Sequence, residues 1–180
     1  NFNLGICYLE LDQTTSAYSY FLRTAEFTDD TNLIYESLIQ SAICLGKQVH
    51  HRKSERGMLL HALSLIPTRP ESYFLLSQLY ERSDDWIGAY TMAELGLQIA
   101  FDVESISNLL YPGYYGLIFQ KAVTSWWIGR HDESKELFTY LFNEKESIMH
   151  DSYKQLVHNN LTFLNKGQYP KLPYTRLIHN

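Results

Sequence analysis

Few side chains in this sequence stand at spacings that could do chemistry. His50 and His51 are adjacent and diverge on any helix, so with His61 they share a metal only if the fold happens to converge them. Asp29-Asp30 and Asp84-Asp85 are the paired carboxylates that metal or acid–base work would need. Each pair directly precedes a segment of helical periodicity, where negative charge complements the helix dipole and caps free N–H groups. Capping is therefore the reading adopted. The sequence holds no Gly-rich phosphate loop, no Gly-x-Ser-x-Gly, no His-Glu-x-x-His and no Cys-x-x-Cys. We expect no catalytic residue, no cofactor and no metal ligand.

Recognition chemistry is better represented. Trp126-Trp127 is an unusual dipeptide, and adjacent helical residues point about 100° apart. Either both indoles pack in the core, or one enters it while the other faces a groove or a neighbour and anchors a partner. If the first helix of each hairpin lines a concave surface, the residues off its core stripe are groove candidates. These are Gln40, Lys47, Phe74, Gln78, Arg82, Phe119, Val123 and Trp127. Cys7 and Cys44 take matching places in Gly5-Ile6-Cys7-Tyr8 and Ala42-Ile43-Cys44-Leu45. Both read as buried small apolar side chains in a reducing compartment, with a disulfide between neighbouring helices left open.

The elements that must position these groups are set by a recurring spacing. Gly5–Tyr8–Ala17 recurs as Ser77–Tyr80–Ala89 and, more weakly, as Ala122–Ser125–Ser134. Phe21, Ala93 and Phe138 follow one turn after each last member, and a polar turn separates the anchors. Small residues at these places let two antiparallel helices approach closely. The predicted repeats cover about 1–31, 32–67, 68–100 and 114–146, with a capping helix at 149–164 and an extended tail at 166–180. Gly46 is expected to end its helix in a left-handed cap. Pro67 ends another, and Pro70 opens the next. The interval from Ser77 to Ala122 exceeds that from Ala42 to Ser77 by about ten residues, and insertions in repeat arrays often map to the binding face. Residues 101–113 are thus a candidate functional loop.

Composition narrows the partners. The net charge of −5 and a pI near 5.8 argue against a nucleic-acid or anionic-membrane surface. No apolar run approaches the ~20 residues of a membrane span. With neither a signal peptide nor an initiator Met, the chain reads as a segment of a longer cytoplasmic protein.

The repeat spacing resembles the tetratricopeptide repeat. One stretch is similar to the repeat region of certain glycosyltransferase-associated proteins: His61-Ala62-Leu63-Ser64-Leu65-Ile66-Pro67-Thr68-Arg69-Pro70-Glu71-Ser72-Tyr73, then Leu79-Tyr80-Glu81-Arg82 and Asp85-Trp86. Tyr115-Gly116-Leu117-Ile118-Phe119-Gln120-Lys121-Ala122, Trp126-Trp127-Ile128-Gly129, Glu133-Ser134 and Asn159-Asn160-Leu161 continue the likeness across residues 1–165. The resemblance implies an accessory module that positions a partner or its own catalytic domain near glycan or polypeptide. No Asp-x-Asp occurs, so any sugar-transferase residues would lie elsewhere.

The expected fold is all-α, a right-handed superhelix of four tetratricopeptide-like hairpins with a C-terminal capping helix. The expected function is a non-enzymatic scaffold binding a protein or peptide, including an adjoining glycosyltransferase domain. Two alternatives stay open. One is a glycan- or acceptor-binding part of an enzyme. The other is self-association through an apolar N-terminal face of Phe2, Leu4 and Ile6.

Overall fold

The computed structural model describes residues 1–48, 51–99 and 109–166. Among them are nine α-helices and no strand: α1 Phe2–Glu10, α2 Thr14–Phe27, α3 Thr31–Gly46, α4 Arg52–Leu65, α5 Glu71–Glu81, α6 Trp86–Ile99, α7 Tyr114–Trp127, α8 His131–Tyr140 and α9 Asp151–Asn165. Each packs on its chain neighbours, and α5 also touches α7. A π-helical turn at Leu141–Lys145 and a 3-10 turn at Glu146–Ile148 carry α8 into α9. None of the described helices is long and apolar enough to cross a membrane.

Three hairpins turn in the same way. Asp12, Asp84 and Gly129 hold equivalent positions with φ of +56°, +59° and +84°. The next N–H of each turn, from Gln13, Asp85 and Arg130, donates to the carbonyl of Tyr8, Tyr80 or Ser125 at 2.8, 3.0 and 2.8 Å. This is the hydrogen bond that closes a helix end once a left-handed residue reverses the chain. The α3–α4 connection is different. Gly46 does not take the left-handed conformation expected of it; it stays helical, and a Cβ there would lie 2.9 Å from Glu55 Oε1. Its missing side chain makes room for a carboxylate rather than for a turn.

The helices approach most closely at the small-residue anchors. A Cβ on Gly5 would sit 2.6 Å from the buried Phe21 ring. Ser77 Oγ donates to the Ala89 carbonyl at 2.8 Å, and Ser134 Oγ to the Ala122 carbonyl at 2.7 Å. The serine thus exchanges helices between the third and fourth hairpins while the cross-helix bond is kept. Helix starts are capped by the paired acids: Asp30 Oδ1 accepts from Asn32 and Leu33 N–H, and Asp85 Oδ1 from Gly88 N–H.

The core falls into three clusters strung along the chain. One joins Ala17, Phe21 and Cys44; a second runs through α3, α4 and α5 to Leu117; a third unites α7, α8 and α9 around Phe119, Phe138 and Tyr153. Phe2 and Ile6 pack on the first of these, so of the expected N-terminal apolar face only Leu4 stays exposed. The cysteines also part company. Cys44 is buried between α2 and α3, which pushes its thiol up to about 11 by desolvation, whereas Cys7 is exposed because α1 is covered on one side only. The two are free thiols. Of the inserted segment, 101–108 lie outside the described residues. Leu109 and Tyr111 turn into the second cluster rather than onto an open face.

Two glycines test this packing in opposite directions. Gly5→Ala should be destabilising, because overpacking against an immobile buried ring costs about 1–3 kcal/mol, more than the ~1 kcal/mol that helix propensity returns. Gly57 lies exposed in α4, and a Cβ added there would meet nothing within 4 Å, so Gly57→Ala should stabilise by about 0.5–1 kcal/mol. Thermal melts should therefore move down for the first variant and up for the second, by roughly 2–4 °C per kcal/mol.

Candidate functional site

The eight groove candidates do not share one fate. Gln40, Phe74, Phe119 and Val123 are buried. They cannot form an accessible wall, because residues remote in sequence cover them: Tyr111 packs edge-on against Phe74 at 5.6 Å, and Phe138 and Tyr153 pack edge-on against Phe119. Gln78 is half-buried. The remaining three, Lys47, Arg82 and Trp127, stand at corresponding places where α3, α5 and α7 end. The stripe read from the sequence is thus closed along most of each helix and opens only at its C-terminal turn.

At that edge the first two groups are engaged in ion pairs. Lys47 Nζ lies 3.4 Å from Asp12 Oδ1, with both groups in solvent. Arg82 Nη2 pairs with Glu55 Oε1, and Arg52 Nη1 donates to the Arg82 carbonyl at 3.0 Å. Burial lifts the Glu55 carboxyl above its usual range, and the Arg82 and Arg52 charges oppose that rise. These contacts link the second hairpin to the first and third, and leave the guanidinium of Arg82 half-buried.

The third position is apolar and open. The Trp127 indole is 40% exposed and stacks on Trp86 of α6, with centroids 4.7 Å apart and planes 21° from parallel. Ile87, next along α6, is 72% exposed. Trp126 turns the other way, into the third core cluster, where its ring lies 4.1 Å from that of His131. The dipeptide therefore divides, and Trp127 is the outward member.

A charged network holds α6, α7 and α8 beside this stack. Tyr90 on α6 donates to Glu133 Oε1 on α8 at 3.0 Å and accepts from Arg130 Nη1 at 2.8 Å. The Arg130 guanidinium lies 4.8 Å from the Tyr90 ring centroid, a cation–π distance. Lys121 on α7 bridges Glu94 on α6 and Glu133 on α8. Desolvation alone would raise the Glu133 carboxyl, but hydrogen bonds from Lys121 and Tyr90 and the Lys121 charge outweigh it and hold the group below its usual range. Sequence reasoning did not find this cluster. Its members belong to three helices, and only the proximity of those helices brings them together.

Of the carboxylates at this face, Glu94 and Glu133 are held in ion pairs with Lys121, and Asp85 caps the start of α6. No group of three or more His, Cys, Asp or Glu among the described residues is placed to hold a metal. His50 lies outside the described residues, as do 167–180 of the expected tail.

The Glu133 network carries a signed pH dependence. A carboxyl whose folded pKa is depressed adds stability above its unfolded pKa, and that contribution disappears as pH falls through the folded value. Urea midpoints measured from neutral pH into the acid range should show Glu133→Gln losing stability near neutrality and converging on the parent chain below the usual carboxylate range. A constant offset at every pH would mean that Glu133 acts only through packing.

Neither a scan of protein-family models nor a search of curated proteins finds a match to this chain.

Proposed function

We propose that this chain is a non-enzymatic interaction module of the tetratricopeptide kind, in which the Trp86–Trp127 stack with Ile87 anchors a protein or peptide partner. The observation that carries this reading is the exposure of Trp127, stacked on the partly buried Trp86 ring, and of Ile87, the next residue along α6, on helices tied together by the Lys121–Glu133–Tyr90–Arg130 network. A scaffold that locks the backbone beneath an exposed indole keeps down the ordering cost of binding. Contiguous apolar surface marks contact sites, and Trp is among the side chains most enriched where binding energy concentrates. Lys47 and Arg82 extend the same edge with charge. In the setting implied by the resemblance, the partner is an adjoining glycosyltransferase domain and the compartment is the cytoplasm.

A second reading has its own observation. The Trp86 and Trp127 rings are nearly parallel, and an aromatic face of that kind can stack on a sugar ring. This would make the face a glycan- or acceptor-binding part of an enzyme.

Peptide and glycan arrays probed with the intact chain, Ile87→Asp and Trp127→Ala test both readings. Ile87 is mostly in water, so Ile87→Asp should leave the thermal midpoint unchanged while lowering peptide affinity. Trp127→Ala should weaken binding by about 2 kcal/mol or more, roughly thirtyfold. Retention only of glycans, lost in the same variants, would favour the second reading. Peptide binding untouched by either substitution would move the site elsewhere.

A further inference from the structure

We propose that Leu109–Pro112 is a pseudo-ligand, filling in cis a seat on α3, α5 and α7 that accepts a partner segment of the pattern Leu-x-Tyr-Pro when this stretch lifts. The contacts define the seat. Leu109 is fully buried and Tyr111 nearly so, and both join the cluster that contains Tyr35, Ile39 and Phe74. The Tyr111 ring packs edge-on against Phe74. Pro112 rests on the α7 backbone at Gly116, where a Cβ would stand 2.4 Å from Pro112 Cγ and 3.2 Å from Phe74 Cε2. A side chain at Gly116 would push the proline ring off. Burial, and then the neighbouring Glu71 carboxylate, raise the Tyr111 phenol above its ordinary value, so that hydroxyl stays protonated. Gly116 and Trp127 are about 16 Å apart along α7, so this seat is distinct from the Trp127 face.

Two features set this stretch apart from the rest of the core. The first is what carries it. Phe119, at the place on α7 that corresponds to Phe74 on α5, is covered by rings from α8 and α9. The ring over Phe74 comes instead from residues that belong to no α-helix. The second is strain. Leu110 is exposed between two buried neighbours and is held left-handed at φ +56°, a conformation that sterics disfavour for leucine. Such a residue persists only where packing on either side imposes it, and strain of this kind gathers at clamps and switches. Gly113, at φ +111° immediately before α7, provides a hinge. Lifting the stretch relieves Leu110 and opens an apolar notch between Phe74 and Gly116.

The cis segment competes with the partner, so an external peptide binds only in proportion to the fraction of chains whose seat is empty.

Opening is tested by thiol labelling of the full chain carrying Cys7→Ser and Leu109→Cys, with the buried Cys44 as the reporter of global unfolding. The introduced thiol should react roughly tenfold or more faster than Cys44, at a rate nearly independent of low urea. Equal rates with the same urea dependence would make Leu109 ordinary core and overturn the proposal. The seat is tested by fluorescence anisotropy of a labelled peptide with the sequence of residues 109–113, added to the intact chain, Leu110→Gly and Tyr111→Ala. Tyr111→Ala should bind it roughly tenfold or more tighter than the intact chain, and the peptide should raise the thermal midpoint of that variant by returning the missing ring. Leu110→Gly, freed of left-handed strain, should stay closed and bind less than the intact chain. If Tyr111→Ala does not fold, the comparison of Leu110→Gly with the intact chain decides, and equal binding or none overturns the proposal. So does equal binding of a peptide with Ser in place of its Tyr. Neither readout uses the Trp127 face, so failure here is distinguishable from failure of the proposed function.

Discussion

Everything in this fold hangs on the distance between the two helices of a hairpin. At Gly5 the Phe21 ring takes the space of a Cβ, and at Ser77–Ala89 and Ala122–Ser134 the backbones are close enough for a hydroxyl to reach the opposite carbonyl. A helical serine ordinarily returns its proton to its own helix one turn back. Here the short separation makes the neighbouring helix the better acceptor. Each such bond satisfies a buried hydroxyl and fixes the register of one helix against the other. A larger residue at either anchor would widen the hairpin and shift every contact that follows.

Stacking these hairpins yields a core in segments rather than one continuous centre. Leu97 and Tyr114 pack against both of the larger clusters, and Leu117 of α7 belongs to one while most of the helix belongs to the other. Helix α7 is therefore the joint of the array. Polar groups reinforce another junction. Tyr35 is buried between α3 and α5, donates to Glu71 Oε2, accepts from the Ser72 N–H and Oγ, and lies beneath the Arg69 guanidinium. Arg69 grips Glu71 through two nitrogens and reaches Glu36 on α3. With both carboxylate oxygens accepting, the buried Glu71 is compensated, and removing one member would strand the others.

The same economy explains where the surface opens. The first helices of the hairpins, which contact their neighbours along most of their length, cannot also present a long groove there. Their last turns escape, because each hairpin turn leads the chain away from the array at that point. Lys47, Arg82 and Trp127 mark this edge, and only Trp127 offers it an apolar surface. The ion pairs of Lys121 with Glu94 and Glu133 tie α6, α7 and α8 together, so charge fixes the platform while aromatic area provides contact.

How much of this was legible in the residues follows from the range of the forces involved. Helix extents, the anchors and the Asp30 and Asp85 caps depend on neighbours within a few positions, and the sequence by itself determined them. Burial depends on what arrives from elsewhere in the chain. Phe74 and Phe119 occupy corresponding places and look like groove residues until Tyr111, Phe138 and Tyr153 cover them. Cys7 and Cys44 match in sequence and differ in exposure, because one helix is flanked on both sides and the other is terminal. Gly46 serves a carboxylate nine residues away in the next helix rather than its own cap. Periodicity tells which residues of a helix share a face; only the tertiary structure decided which faces remain uncovered, since that is settled by the packing of other helices and not by the helix itself.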